Sequence, residues 1–67
     1  MKLRINGKDR ELGQAVSIPE VLAILGFENT RGVAVAVDGE VLPRSSWDGF
    51  GIADGMRIEV LRAVQGG

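Results

Sequence analysis

The chain has 67 residues, of which 45% are apolar, and its 8 basic and 9 acidic residues give a formal net charge of −1. So short a chain buries only about 60% of its unfolded surface, which predicts one domain and no deep enzyme pocket. Cysteine and histidine are absent, which excludes disulfides, thiol and imidazole catalysis and the commonest transition-metal ligands. The basic and acidic residues are interleaved, so no basic face for a nucleic-acid partner is visible.

The beginning of the chain predicts a protein without a membrane partner. No leader precedes the first strand-like segment, and the longest apolar runs are too short to span a bilayer. We therefore expect a cytoplasmic protein.

The first predicted elements are a β-hairpin and a helix. Residues 2–6 alternate polar and apolar side chains, as a half-buried strand does. Asn6-Gly7 tolerates positive φ angles and predicts a turn, after which residues 10–12 return as a short second arm. Residues 17–20, Ser-Ile-Pro-Glu, are typical of a capped helix start, and Gly26 is suited to the end of that helix.

The second half of the chain predicts three more strands. Residues 33–37 read Val-Ala-Val-Ala-Val, which indicates an interior strand with its valines toward the helix and Ala34 and Ala36 on a flat outer face. A turn at Asp38-Gly39 leads into a short strand at residues 40–42. Residues 44–53 then predict a packed loop with room for one helical turn. A last strand is predicted at residues 56–64.

This order of elements predicts an α+β fold. A hairpin, a helix and further strands form two layers when one main helix packs across a mixed sheet, with the first and last strands parallel at the centre. That arrangement is the β-grasp, or ubiquitin-like, fold. We expect residues 1–64 to form the domain and residues 65–67 to form a flexible C-terminal tail.

The tail, Gln65-Gly66-Gly67, is the best candidate for a reactive group. It can extend roughly 10 Å, at about 3.3–3.6 Å per residue, and its glycines lack the Cβ atoms that would block passage through a narrow slot. A partner could adenylate the terminal carboxylate with ATP, and an incoming sulfur would then leave a thiocarboxylate without any cysteine. The alternative is that Gly66-Gly67 is merely a frayed tail, since fraying is common at chain ends. Its position directly after the last strand of a predicted β-grasp domain favours the chemical role.

Several short segments carry a family resemblance through their order and spacing: Asn6-Gly7, residues 33–37, residues 41–47 (Val-Leu-Pro-Arg-Ser-Ser-Trp), Asp54-Gly55, residues 57–60 (Arg-Ile-Glu-Val) and residues 63–67 (Ala-Val-Gln-Gly-Gly). Through them, essentially the whole chain resembles the ThiS family, the sulfur carriers of bacterial thiamin biosynthesis. The chain departs from the family pattern at two positions. An acidic residue is frequent in the family where Met56 stands, and a small residue is frequent where Gln65 stands.

The resemblance implies that partner proteins carry out the chemistry on this chain. A ThiF-type enzyme would adenylate Gly67 with ATP, sulfur relayed from a cysteine desulfurase would form the thiocarboxylate, and a ThiG-type thiazole synthase would receive the sulfur. Gly66 and Gln65 would thread the tail into these partners. The chain itself would hold no catalytic residue, bound cofactor or metal.

Other residues are candidates for partner contacts. Leu61 shares a strand face with Arg57 and Glu59, so both an exposed partner contact and ordinary edge packing are open. Ala34 and Ala36 on the outer face are further candidates. Arg44, Arg57 and Arg62 either orient a partner or are simply solvated.

Two aromatic residues and one acidic residue have simpler explanations than a binding role. Trp47 and Phe50 could form a partner-facing patch, but packing against the sheet is favoured for large aromatics in a chain with so small a core. Asp54 precedes Gly55, and turn chemistry explains it better than a metal or acid role.

Two alternative functions stay open. The small subunit of molybdopterin synthase resembles the same fold and ends in diglycine, although it is usually longer. A ubiquitin-like interaction or modifier domain would act through the outer face near Ala34 and Ala36.

Overall fold

The computed structural model describes residues 1–13 and 17–62. Five strands form one sheet in the order β2-β1-β5-β3-β4, in which β1 and β5 are parallel and the other neighbours are antiparallel. The elements are β1 (Lys2–Ile5), β2 (Lys8–Glu11), α1 (Ile18–Ile24), β3 (Val33–Val37), β4 (Glu40–Leu42), a 3₁₀ turn (Arg44–Ser46) and β5 (Arg57–Arg62). The predicted β-grasp fold is confirmed.

The helix α1 begins and ends as the sequence predicts. The Ser17 hydroxyl accepts from the Glu20 N–H at 3.3 Å, and the Glu20 carboxylate accepts from the Ser17 N–H at 3.0 Å. At the other end, Gly26 has a φ of +96°. The N–H groups that follow the helix donate back to the carbonyls of Ala23 and Leu22, at 3.0 and 2.9 Å. Both ends therefore satisfy backbone groups that a short helix would otherwise leave unpaired.

One hydrophobic core lies between the helix and the sheet. The inward face of α1 is supplied by residues that are about 1% exposed, Ile18, Val21 and Leu22. The three valines of β3 are buried against them, while Ala34 is exposed and Ala36 is half-buried on the opposite face. The remaining buried apolar residues of the core are Leu3, Ile5, Leu12, Trp47, Ile52, Ile58 and Val60.

The bounds of β2 differ from the prediction of residues 10–12. The Asn6-Gly7 turn is only two residues long, so Ile5 pairs with Lys8 and the strand begins there. β2 ends at Glu11, and the next residue, Leu12, still exchanges two bonds with Met1: its N–H donates to the Met1 carbonyl and its carbonyl accepts from the Met1 amino group, each at 2.7 Å. All four β2 residues are exposed and charged, so apolar alternation could not reveal an edge strand of this kind.

The last strand begins one residue later than predicted. The Met56 N–H closes the preceding turn on the Ala53 carbonyl at 3.2 Å, and β5 starts at Arg57. The predicted end of the strand at residues 63 and 64 lies outside the described residues, as does the boundary between domain and tail.

The loop before β5 packs as expected. It contains a single 3₁₀ turn, and Trp47 behind that turn is 4% exposed, with its indole N–H donating to the Leu42 carbonyl at 3.1 Å. Phe50 is half-buried against the core. Asp54 accepts from the Lys2 N–H at 2.6 Å, which gives its carboxylate a structural role in the turn.

No helix within residues 1–13 and 17–62 is long and apolar enough to cross a membrane. The same ranges hold no group of three or more histidine, cysteine, aspartate or glutamate residues placed to hold a metal ion.

Candidate functional site

The candidate site is built on the C-terminal half of β5, the strand that leads toward the tail. β5 pairs with β3 from Ile58, opposite Val37, as far as Arg62, opposite Val33. Its parallel pairing with β1 stops at Ile5 opposite Ile58. The end of β5 therefore extends past β1, and main-chain pairing with a neighbouring strand continues on one side only.

The side chain of Asn6 replaces the missing strand on the open side. Its Oδ1 accepts from the Val60 N–H at 2.8 Å, and its Nδ2 donates to the Val60 carbonyl at 3.3 Å. The Asn6 N–H also donates to the Ile58 carbonyl at 2.9 Å. We call the pair of side-chain bonds to Val60 the Asn6 clamp. The sequence indicated only a turn at Asn6. An asparagine can both adopt a positive φ and pair with a backbone amide, so its side chain can also bond a neighbouring strand.

Replacing Asn6 with Ala tests the Asn6 clamp. The change leaves the partly buried N–H and carbonyl of Val60 without their side-chain partners, so we expect a loss of about 1–2 kcal/mol in the free energy of unfolding. Chemical denaturation measures this loss. Asn29→Ala serves as a control, because the Asn29 side chain accepts from the nearby Arg31 N–H in an exposed loop. Equal stability of wild type and Asn6→Ala would contradict the importance of the clamp.

Arg62, the last residue of β5, is tied to the loop after the helix. Its guanidinium donates to the Asn29 carbonyl at 2.8 Å and lies 5.0 Å from the centre of the Phe27 ring. A cation over an aromatic face is held by the ring quadrupole, even at exposed sites. These contacts fix the direction of β5 at the point where the described part of the strand ends.

Arg44 is held to the same loop from the other side. Its guanidinium donates to the hydroxyl and the carbonyl of Thr30, the first at 2.9 Å, and stacks over the Trp47 ring at 4.6 Å. Sequence analysis considered Arg44 and Arg62 as groups that orient a partner. The structure gives both side chains contacts within the chain, and the partner role stays a prediction.

The face of the sheet opposite the helix carries an apolar patch. Leu61 is 68% exposed and lies opposite Ala34, while Val41 is 76% exposed and lies opposite Ala36. We call these four residues the open-face patch. The structure thus brings together three residues that sequence analysis proposed and adds Val41. The alternation of outward Val41 with inward Leu42 was the signal that could have revealed it.

Charged side chains border the open-face patch. On β5, Arg57 and Glu59 are exposed on the same face as Leu61. On β1, Arg4 is exposed and its guanidinium lies 3.8 Å from the Asp9 carboxylate. An apolar centre with a charged rim is the composition of a protein-binding surface.

Two surface depressions are too small for a typical ligand. One of about 150 Å³ is lined by Arg4, Gly7, Arg57, Ile58 and Glu59. Another of about 190 Å³ lies between the β3–β4 turn and the side chains of Phe50 and Met56. Ligand pockets are usually about 300–1,000 Å³, so neither depression has the dimensions of a small-molecule site.

The proposed reactive tail, Gln65, Gly66 and Gly67, lies outside the described residues. The structure describes the strand that precedes it, as far as Arg62. Comparison with known proteins covers the tail itself. The model of the ThiS family matches residues 3–67, which include both terminal glycines. The chain belongs to the ThiS family.

Two solved structures are similar to this ThiS-family chain over its whole length. It resembles the crystal structure of a thiamine biosynthesis protein, ThiS, from Geobacter metallireducens, with 32% identity, a TM-score of 0.85 and complete coverage of both chains. A solution NMR structure of a thiamine biosynthesis protein from the same organism matches with 32% identity and a TM-score of 0.83, and covers all of this chain and 88% of the other.

A curated relative is much longer than this ThiS-family chain. A thiazole synthase from Paramagnetospirillum magneticum (strain ATCC 700264 / AMB-1) is 34% identical over 67 residues, which is all of this chain but 20% of the relative. The chain therefore spans about a fifth of the length of that protein.

Proposed function

We propose that this chain is a sulfur carrier for assembly of the thiazole of thiamin. It acts as a co-substrate of partner enzymes and has no turnover of its own. The observation that carries the proposal is the family match, which runs from residue 3 through Gly67. We also propose a cytoplasmic location for the chain, because the activating partner consumes ATP.

In the proposed reaction, the terminal carboxylate of Gly67 changes from a poor electrophile to an activated one. A ThiF-type enzyme joins it to AMP from ATP and releases pyrophosphate. A cysteine desulfurase loads sulfur onto a partner cysteine as a persulfide, whose terminal sulfur attacks the Gly67 carbonyl and displaces AMP. A second partner thiol then attacks the sulfur–sulfur bond of the acyl disulfide, forms a disulfide with the first cysteine and releases the thiocarboxylate. Gly66 and Gln65 carry this group into the partner. The chain needs no thiol of its own for this chemistry, and it contains no cysteine.

A ThiG-type thiazole synthase is the proposed acceptor. One relative supports this assignment. It is a thiazole synthase, and a region of it is similar to the whole of this chain. A carrier and its acceptor that share one chain meet at a high effective concentration. The two solved relatives are thiamine biosynthesis proteins, which favours this pathway over that of molybdopterin.

The open-face patch is the proposed docking surface for the activating enzyme. Leu61 exposes its apolar side chain on the strand that leads to the tail, and Val41 exposes its own on the same face of β4, two strands away. Docking there would bury apolar area and place the tail toward the partner's active site. The rim charges Arg57 and Glu59 would set the orientation of the two proteins.

Intact mass spectrometry tests the carrier role. The chain is purified from cells that also produce a ThiF-type enzyme and a cysteine desulfurase, and from matched cells without the activating enzyme. We expect the replacement of one oxygen by sulfur, located at Gly67 by fragmentation, only in the first sample. Formation of covalent adducts between Gly67 and other proteins would instead favour the modifier alternative.

Leu61→Ser tests the docking surface separately from the tail. We expect kcat/KM for adenylation to fall about tenfold, which corresponds to about 1.4 kcal/mol of lost binding. The free energy of unfolding should change by less than about 0.5 kcal/mol, because the side chain is exposed.

Ile24→Ser is the matched control for Leu61→Ser. Ile24 is 49% exposed, but it lies on the helix, on the opposite layer from the open-face patch. Adenylation kinetics measured with both variants should change for Leu61→Ser alone. Equal kinetics for the two variants would overturn the proposed docking surface.

A further inference from the structure

The turn between β1 and β2 contains the one Asn-Gly dipeptide of the chain, Asn6-Gly7. Both residues are exposed and have positive φ angles, +51° for Asn6 and +82° for Gly7. A Cβ added at Gly7 would meet no atom within 4 Å. Among the described residues, the space where a Gly7 side chain would stand is therefore open.

An exposed Asn-Gly pair is chemically reactive because glycine lacks a side chain that would hinder its own nitrogen. The Gly7 nitrogen attacks Cγ of Asn6, and a new C–N bond forms. The Cγ–Nδ2 bond breaks, and Nδ2 leaves as ammonia with the proton lost by the Gly7 nitrogen. Water then adds to either carbonyl of the resulting succinimide and opens it to aspartate or isoaspartate. The sequence of steps needs no oxidant or reductant.

The Asn6 clamp opposes this reaction in the folded chain. Nδ2, the leaving group, donates to the Val60 carbonyl, and Oδ1 accepts from the Val60 N–H. Ring closure brings Cγ onto the Gly7 nitrogen and removes Nδ2, so both bonds of the clamp must open first. The reaction therefore requires a local opening of the end of the β1–β5 ladder.

We propose that Asn6 is a deamidation site that the clamp protects in the folded chain, and that deamidation permanently opens the clamp. An ionised aspartate has no donor, so one carboxylate oxygen would face the Val60 carbonyl at the position from which Nδ2 donates. Isoaspartate would also add a methylene to the main chain of a two-residue turn. Either product lacks the Nδ2 donor, so the Val60 carbonyl loses its side-chain partner and the clamp is no longer closed on both groups of Val60.

The test uses the full chain, incubated in mildly alkaline buffer with and without guanidinium chloride. Peptide mapping by mass spectrometry follows the conversion of Asn6 with time. We expect conversion to be at least about tenfold slower in the folded chain, by a factor that matches the protection of the Val60 N–H against hydrogen exchange. Asn29 is the internal control, because the β-branched Thr30 follows it and should keep conversion slow in both samples.

Two outcomes of the incubation would overturn the proposal. Equal conversion of Asn6 in the folded and unfolded chain would show that the clamp gives no protection. Absence of conversion in the unfolded chain would show that Asn6 is not a deamidation site.

Asn6→Asp tests the consequence of the modification without waiting for the reaction. We expect its midpoint of chemical denaturation to be lower than that of the wild type, because the carboxylate replaces a donor with an acceptor facing the Val60 carbonyl. Its Val60 N–H should also exchange faster than in the wild type. A variant with the wild-type midpoint and the wild-type exchange rate would overturn the claim that deamidation opens the clamp.

Discussion

Deletion of Gly67 should lower the rate of thiocarboxylate formation at least about 100-fold. The shortened chain still ends in a carboxylate, on Gly66, but that group lies about 3.3–3.6 Å short of the position reached by the full chain. Misplacement of a reacting group by even 1 Å can cost about 100-fold in rate. The measurement is mass-spectrometric detection of the sulfur-loaded chain after incubation with the activating enzyme, ATP and a sulfur source.

The fold should not change when Gly67 is removed. The buried core of the described residues lies between Leu3 and Val60, so the free energy of unfolding should stay within about 0.5 kcal/mol of the wild type. Gln65→Ala is the matched control, because it alters the tail but keeps its length. We expect this variant to accept sulfur at a rate close to the wild type. A deletion variant that formed thiocarboxylate as fast as this control would overturn the assignment of Gly67.

Features that depend on neighbouring residues were predictable from the sequence. The reciprocal bonds of Ser17 and Glu20 join residues three apart, so the sequence pattern alone specifies them. The valines of β3 were assigned to the core because strand side chains alternate between the two faces of the sheet. The open-face patch was partly predicted by the same rule, since Ala34 and Leu61 lie on the outward faces of strands that are central to the sheet.

Features that join distant segments were not predictable. The Asn6 clamp connects residues 54 positions apart, and it depends on β1 ending four residues before the described end of β5 opposite it. The bonds of Arg62 to the Asn29 carbonyl and of Arg44 to Thr30 likewise require the loop after the helix to lie beside the sheet. Arginine alone in a sequence does not distinguish a steering charge from one that holds a loop.

Trp47→Ala should unfold most of the protein at room temperature or lower its melting temperature severely. The indole is almost fully buried, and removal of a buried tryptophan side chain costs about 3–5 kcal/mol. A domain of this length has a total stability of roughly 3–10 kcal/mol, at about 0.05–0.15 kcal/mol per residue. The loss is therefore comparable to the whole stability. Chemical denaturation followed by far-ultraviolet circular dichroism measures it without relying on tryptophan fluorescence.

Trp47→Phe separates the packing of the ring from its hydrogen bond. Phenylalanine fills part of the same space but cannot donate to the Leu42 carbonyl, so we expect a folded protein that is less stable than the wild type by about 1–3 kcal/mol. A tryptophan that served mainly as a partner-facing patch would behave differently, because its replacement by Ala would change stability little and partner binding strongly. Near-normal stability of Trp47→Ala would thus refute the core position of this side chain.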